Sequence, residues 1–92
     1  MTNVRFFIFG RSTCPFCRMA ADYCIGTSLE HTYFDFADKE EILEDYKEFY
    51  NHKTVPIILS NDLTTGETKM VGGYTDLLDY VEKCELDNAR EQ

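Results

Sequence analysis

The sequence predicts an α/β fold in the order β-α-β-α-β-β-α, with a four-stranded mixed sheet flanked by three helices. Apolar runs of strand length alternate along the chain with amphipathic segments of helical period. The order implies a βαβ crossover followed by a hairpin. A crossover pairs parallel strands, whereas a short hairpin is most simply antiparallel. With 92 residues there is room for one core, so we expect one domain over residues 1–92.

The first half of the chain contains the βαβ pattern. Residues 4–9 form an apolar run interrupted only by Arg5, which predicts a buried strand. Pro15 suits the first position of a helix, because a missing N–H costs nothing there. Gly26 is expected to end that helix, and residues 32–36 predict the second strand.

The second helix is predicted from charged residues and an apolar face. Asp38, with Glu41 three residues later, predicts a capping box at its start. Its apolar face, expected to pack on the sheet, consists of Ile42, Leu43, Tyr46, Phe49 and Tyr50.

The last third of the chain predicts a hairpin and a helix. Pro56 cannot donate to a strand ladder, so residues 54–59 predict a strand entered through proline. A turn, a short strand and a last helix are predicted over residues 62–66, 68–71 and about 75–88.

Charge and composition exclude several classes of function. The net charge is −8, from 9 Lys and Arg residues against 17 Asp and Glu. Nucleic-acid binders generally need surplus basic residues to neutralise phosphates, so we expect no nucleic-acid partner. The sequence has neither a run of 18 apolar residues nor signal-peptide features, so we expect no membrane association. The expected compartment is a reducing cytoplasm, where any disulfide is transient and catalytic.

Cys14 and Cys17 form a C-x-x-C pair at the predicted start of the first helix. After a strand, this spacing is typical of a redox-active dithiol. Pro15 donates no N–H, which leaves the next two amides free to face the Cys14 sulfur and favour its thiolate. Arg11 adds a positive charge nearby. A lowered pKa chiefly makes Cys14 a better leaving group, because thiolate nucleophilicity falls together with the pKa.

Two other interpretations of the pair remain open, a zinc half-site and a structural pair of thiols. A structural zinc site needs four ligands, and the other cysteines and histidines show no second paired spacing. We therefore expect no metal. Cys24 and Cys84 lie on apolar helix faces and are predicted to be inert core thiols, with regulatory oxidation as the alternative.

Three motifs resemble those of the glutaredoxin family. Residues 10–17 (Gly-Arg-Ser-Thr-Cys-Pro-Phe-Cys) resemble its active-site segment, with Phe16 where the family usually has Tyr. Residues 54–56 (Thr-Val-Pro) resemble its cis-proline segment, and residues 72–76 (Gly-Gly-Tyr-Thr-Asp) its glycine-pair segment. The motifs span nearly the whole chain. The likeness is greatest to the short bacterial and phage dithiol glutaredoxins, the bacterial one a donor of electrons to ribonucleotide reductase.

The resemblance implies a thioredoxin-like fold and a glutathione-dependent thiol–disulfide oxidoreductase. Cys14 is then the nucleophile and Cys17 the resolving thiol. The implied partners are glutathione, as co-substrate, and disulfide-containing or glutathionylated proteins, ribonucleotide reductase among them, with the chain acting as a monomer. The implied glutathione cleft consists of Arg11, Phe16, Thr54, Val55, Pro56, Gly73, Tyr74, Thr75 and Asp76.

The charges of glutathione agree with this cleft. Arg11 can bind one carboxylate through its planar guanidinium. Thr75, at a helix start, offers N–H groups to the other carboxylate, and Asp76 can accept from the ammonium. The extended backbone of Val55 can pair with the peptide, and the Val55–Pro56 bond is predicted to be cis.

Simpler roles and other functions remain open. Arg11 can be an ordinary surface charge, Asp76 a stabiliser of the helix N-terminus, and Tyr74 a packing residue. One alternative function is a redoxin that receives electrons from thioredoxin reductase. Another is an iron–sulfur carrier in which Cys14 and glutathione ligate a cluster between two chains. Pro15 makes the carrier less expected, because Gly is more usual there in related carriers.

Overall fold

The computed structural model describes the backbone of residues 4–91 and the side chains of residues 4–83. The observed order of elements is the predicted one. None of the helices within residues 4–91 combines the length and the apolar composition needed to cross a membrane. The elements are β1 (Val4–Gly10), α1 (Pro15–Gly26), β2 (His31–Asp35), α2 (Glu40–Phe49), β3 (Ile57–Asp62), β4 (Thr68–Gly72) and α3 (Tyr74–Glu91).

The four strands form one mixed sheet in the order β2-β1-β3-β4. β1 pairs in parallel with β2 and antiparallel with β3, and β4 pairs antiparallel with β3. The predicted mixed sheet is therefore confirmed. Because β1 and β2 are parallel, their C-terminal ends meet at one edge of the sheet, where Gly10 pairs with Asp35.

The core divides between the two faces of the sheet, because alternate residues of each strand point to opposite sides. Phe6 and Ile8 of β1 belong to the cluster that packs against α1 and α3. Phe9 belongs to the cluster that packs against α2 through Leu43. The buried members of the first cluster are Phe6, Ile8, Ala20, Cys24, Ile58, Leu77 and Val81, and those of the second are Phe9, Leu43, Ile57 and Leu59.

The predicted capping box of α2 is wrong. The N-cap is Lys39 and makes no side-chain capping hydrogen bond. The N–H of Lys39 donates to the carbonyl of Phe36 (2.9 Å), and this turn starts the helix one residue later than predicted. Asp38 therefore lies outside the helix, and Glu41 takes its second position rather than its third.

The predicted apolar face of α2 is only partly buried. Leu43 is fully buried and Tyr46 and Tyr50 are half-buried, whereas Phe49 is 78% exposed and Ile42 is 41% exposed. At 100° per residue, the first three lie on one narrow stripe and the last two on its flank. A ten-residue helix on the sheet buries that stripe alone.

β3 is displaced from its predicted residues 54–59 and ends at Asp62. β3 begins at Ile57, three residues later than predicted, because Pro56 cannot donate to the ladder. Gly26 is the last residue of α1, as expected, but the left-handed conformation that follows the helix occurs at Ser28, with φ of 57°.

Candidate active site

The loop between β1 and α1 places Cys14 at the N-cap of α1. Its φ of −89° and ψ of 120° are extended, and its N–H donates to the carbonyl of Arg11 (3.1 Å). Pro15 takes the first helical position, and α1 has neither a side-chain cap nor an acidic residue in its first turn. The amides at this helix start therefore face no competing acceptor from within the first turn.

The Cys14 thiol is partly exposed, and its pKa is lowered. Partial burial opposes ionisation and is the largest single effect, but several hydrogen bonds together outweigh it. The thiol and the backbone N–H of Cys17 both donate to the Cys14 sulfur, and the N–H of Phe16 donates as well. The positive charge of Arg11 acts in the same direction. The lowered pKa agrees with the thiolate that the sequence predicts at this helix start.

Cys17 has no exposed surface, in contrast to Cys14. Burial is the main reason that the pKa of its thiol is raised to about 11, and its hydrogen bond to Cys14 adds to the effect. Gly10 allows this depth, because a Cβ there would lie 2.5 Å from the Cys17 sulfur. At neutral pH, Cys17 keeps its proton. The three cysteines with described side chains, Cys14, Cys17 and Cys24, are free thiols.

Two residues on β2 support the loop, and the sequence interpretation missed both. The Tyr33 hydroxyl donates to the carbonyl of Arg11 (2.9 Å). Asp35 Oδ1 accepts from the N–H groups of Ala37 (3.0 Å) and Ser12 (3.1 Å), and these bonds lower the pKa of Asp35. The available signal was the parallel pairing itself, which brings the end of the second strand beside the end of the first.

The predicted cis bond between Val55 and Pro56 is present. Pro56 is buried, Val55 is half-buried and Thr54 is exposed. His52, which was not among the predicted site residues, donates through Nδ1–H to the carbonyl of Thr54 (2.7 Å), since a carbonyl can only accept. The same ring lies beside Gly73, 3.9 Å from the position of a Cβ there. His52 thus links the cis-proline segment to the glycine pair.

The glycine pair forms the junction between β4 and α3. Gly72 has φ of +128°, and a Cβ there would collide with the side chain of Asp76. Asp76 Oδ2 accepts from the N–H of Gly73 (2.9 Å). Of the two roles weighed for Asp76, helix stabilisation is therefore observed for one carboxylate oxygen. Thr75 is exposed beside it in the first turn of α3.

Aromatic rings connect the first and third motifs. The rings of Phe16 and Tyr74 lie 6.4 Å apart between centroids, with an interplanar angle of 39°. Phe16 is 56% exposed and Tyr74 is half-buried. Tyr74 also packs against the core cluster that lies between the sheet and the helices α1 and α3. It is therefore both a packing residue and a neighbour of Phe16.

Arg11, which was predicted to bind a glutathione carboxylate, contacts an acidic residue of the chain itself. Its Nε lies 3.2 Å from Oε1 of Glu40, the first residue of α2. The Nε atom is shielded from solvent and makes no hydrogen bond, so the contact is electrostatic in character. Sequence reasoning missed Glu40, because only the packing of α2 brings it beside the active-site loop.

The remaining predictions concern thiols and metals. Cys24 is fully buried in the core, and burial raises its pKa to about 11, as expected of an inert thiol. Cys84 lies outside the residues with described side chains. Among the described residues, no group of three or more His, Cys, Asp or Glu side chains is placed to hold a metal ion.

Comparison with known proteins agrees with the motifs. The family model described as Glutaredoxin matches residues 6–63. Glutaredoxin-1 of variola virus is 35% identical over 85 residues, covering 86% of this chain and 73% of the viral protein. The crystal structure of wheat glutaredoxin matches with a TM-score of 0.68 at 21% identity, covering 88% of this chain and 75% of the wheat chain.

A thioredoxin is also similar in structure. The reduced thioredoxin pre-protein of Schistosoma mansoni matches with a TM-score of 0.57 at 19% identity, covering 89% of this chain and 79% of the other. At such identities the two solved structures establish the fold alone. The predicted thioredoxin-like fold is thereby confirmed.

Proposed function

The chain belongs to the glutaredoxin family of thiol–disulfide oxidoreductases, and from this we propose that Cys14 and Cys17 are its redox pair and glutathione its reductant. The observation that best supports the proposal is the contrast between these two thiols. Cys14 is partly exposed with a lowered pKa, and Cys17 is buried with a raised pKa. A nucleophile and a resolving thiol need this arrangement, because only the first must meet the substrate as a thiolate.

Reduction of a protein disulfide takes two exchanges. The Cys14 thiolate attacks one substrate sulfur, the substrate S–S bond breaks, and the other substrate sulfur leaves and takes a proton. Cys17 then gives up its proton and attacks the Cys14 sulfur, which releases the second substrate thiol. The substrate gains two electrons, and the redox pair loses two as the Cys14–Cys17 disulfide forms.

Two glutathione molecules restore the dithiol. The first attacks the Cys14 sulfur, the internal disulfide breaks, and Cys17 recovers its proton. The second attacks the glutathione sulfur of the mixed disulfide, so that glutathione disulfide and the Cys14 thiolate are released. The lowered pKa of Cys14 assists this last step, since a more acidic thiol leaves faster. For glutathionylated substrates, Cys14 can act without Cys17.

Four features support a glutathione cleft beside Cys14. Arg11 offers a guanidinium for the glycine carboxylate. The Val55 backbone, before the cis bond, offers a strand-like edge to the peptide. The N-terminus of α3 offers amides for the γ-glutamyl carboxylate, and Asp76 adds a charge for its ammonium. The rings of Phe16 and Tyr74 provide an apolar wall.

The proposal extends to partners and location by family resemblance. Protein substrates are disulfide-containing or glutathionylated proteins, with ribonucleotide reductase as the specific partner implied by the sequence motifs. We further propose that the chain acts as a monomer in a reducing cytoplasm, where the dithiol is kept available for exchange.

A second reductant, thioredoxin reductase, is favoured by one specific observation. Two of the groups assigned to glutathione already have partners within the chain. Arg11 contacts Glu40, and Asp76 accepts a hydrogen bond from Gly73. These contacts compete with glutathione for both groups and weaken two of its anchors, which favours reduction of the same dithiol by a protein.

Coupled turnover separates the two reductants. A glutathionylated peptide and a protein disulfide are offered with either glutathione and glutathione reductase or thioredoxin reductase, with NADPH oxidation as the readout. We expect turnover with glutathione, and none above background for Cys14→Ser. Turnover supported only by thioredoxin reductase would contradict the glutathione assignment and leave the dithiol assignment in place.

The state of Cys14 is tested without any substrate. Iodoacetamide labelling is followed against pH in a Cys17→Ser variant, whose hydroxyl keeps a hydrogen-bond donor beside Cys14. Half-maximal labelling is expected below the pKa of an ordinary thiol, because labelling reports the thiolate. A midpoint at or above that value would remove the nucleophile from the proposal.

A further inference from the structure

Glu40 places a negative charge beside Arg11, the residue proposed to bind the glycine carboxylate of glutathione. Its Oε1 lies 3.2 Å from Arg11 Nε, and the Glu40 side chain is half-exposed. The Nε atom is shielded from solvent and has no hydrogen bond, so charge rather than directed bonding maintains the contact. Neither sulfur of the redox pair is involved in this ion pair.

The position of Glu40 follows from the fold. It is the first residue of α2, where a negative charge is stabilised by the helix dipole. The C-terminal end of β2, just before α2, lies beside the active-site loop, where Asp35 binds the N–H of Ser12. The loop that bears Arg11 is therefore flanked by two carboxylates, one of which reaches the guanidinium itself.

A ligand carboxylate on Arg11 must share the guanidinium with Glu40. Arginine has five N–H donors, and Glu40 contacts Arg11 at Nε alone, so the other donors remain for a ligand. Two carboxylates on one guanidinium repel each other at short range. The pair of side chains is partly exposed, so solvent moderates this repulsion without removing it.

We infer that Glu40 is a specificity-determining residue that weakens selection for a negative charge at the glycine end of the glutathione moiety. The inference rests on the proposed function, in which Arg11 binds that carboxylate. With Glu40 present, the enzyme accepts mixed disulfides whose glycine end is neutral almost as readily as those whose glycine end is charged. Without it, Arg11 selects for the charged form.

The test uses two peptides that differ at one carboxylate. One is glutathionylated with glutathione, the other with glutathione esterified at its glycine carboxylate. In a single turnover with excess reduced enzyme, the Cys14 thiolate attacks the glutathione sulfur, and the peptide sulfur leaves as a thiolate and takes a proton. The release of peptide thiol gives kcat/KM for each peptide, and their ratio is the measured charge preference.

Glu40→Gln keeps the shape of the side chain and removes its charge. We expect the ratio of acid to ester to rise about three-fold, within the range of one exposed charge pair. Any general change in Cys14 reactivity cancels in the ratio, because both peptides use the same thiolate. The gain should shrink in about 1 M salt, where charges are screened beyond roughly 3 Å.

Glu41→Gln is the matched control, since it removes the same charge from the adjacent, exposed position in the same helical turn. Its ratio should equal that of the wild-type protein. An unchanged ratio in Glu40→Gln, or an equal rise in both variants, would overturn the inference while catalysis by the wild-type protein upheld the proposed function. Release from both peptides at the uncatalysed rate by the wild-type protein would overturn both.

Discussion

The helices α1 and α3 both begin at the candidate active site, and the two starts are built differently. At α3, the carboxylate of Asp76 accepts from the N–H of Gly73, so the chain satisfies this helix start itself. At α1, the N-cap is Cys14, no side chain caps the amides, and no acid lies in the first turn. Although the chain has 17 acidic residues, none of them lies in the first turn of α1, so the amides there are available to the Cys14 sulfur.

The largest effect is expected at the start of α1, where Cys14 is the proposed nucleophile. Cys14→Ser should lower turnover by at least about 10³-fold, because a serine hydroxyl is not ionised at neutral pH and does not exchange with disulfides. Cys24→Ala, a loss of sulfur from the buried part of the same helix, should leave turnover within about two-fold. The measurement is reduction of a glutathionylated peptide, with folding of both variants checked by circular dichroism. Comparable losses in both would place the nucleophile elsewhere.

The next largest effect is expected at the start of α3, where Gly72 lies against Asp76. Gly72→Ala should lower the free energy of unfolding by about 2–4 kcal/mol, because φ is +128° and the new Cβ collides with Asp76. Gly66→Ala is the control, since Gly66 also has a positive φ (+79°) but open space around it. It should cost only about 1 kcal/mol. Urea unfolding of both variants measures the difference, and equal costs would show that the Asp76 contact is unimportant.

The pH dependence of stability tests the buried interior of α1, where Cys24 lies. Burial raises the pKa of Cys24 from 9.0 to about 11, so between these values the folded protein binds more protons than the unfolded chain. Stability of the reduced protein should therefore fall as the pH rises from 9 to 11, by about 2 kcal/mol for this thiol. In Cys24→Ala the decline should be smaller by that amount. Parallel pH profiles for the two proteins would contradict the assignment.

The smallest effect tests how α3 is capped. Asp76→Ala removes the acceptor for the N–H of Gly73 and should cost about 1 kcal/mol of unfolding free energy. Asp79→Ala is the comparison, since it removes an exposed carboxylate from the second turn of the same helix. Its cost should stay within about 0.5 kcal/mol. Thermal unfolding at one pH measures both, and a larger cost for the Asp79 variant would reject the cap.

Much of this comparison could be predicted from local sequence. A C-x-x-C pair with proline at the first helical position specifies its own geometry, so the N-cap position of Cys14 followed from residues 14–17. The cis bond before Pro56 was predicted from the family motif, and the place of Pro56 near the start of β3 followed from its missing N–H. Such features depend on neighbours in the chain, which a sequence displays directly.

The contacts that sequence reasoning missed join residues that are distant in the chain. Tyr33 reaches the carbonyl of Arg11 from 22 residues away, and Glu40 reaches its guanidinium only because α2 packs through Leu43 against Phe9 of β1. The misplaced start of α2 has a similar cause. The turn closed by Lys39 and Phe36 competes with Asp38 for the N-cap, and residue preferences alone do not decide that competition.

The position of β1 in the sheet has a consequence for hydrogen exchange. β1 is paired on both sides, whereas β2 and β4 are edge strands that each pair on one side. Edge strands open at lower free energy than central ones, so the amides of β2 and β4 should exchange sooner than those of β1. The loop of Cys14 begins where β1 ends, at Gly10. Fraying at either margin of the sheet can therefore occur while the base of this loop stays ordered.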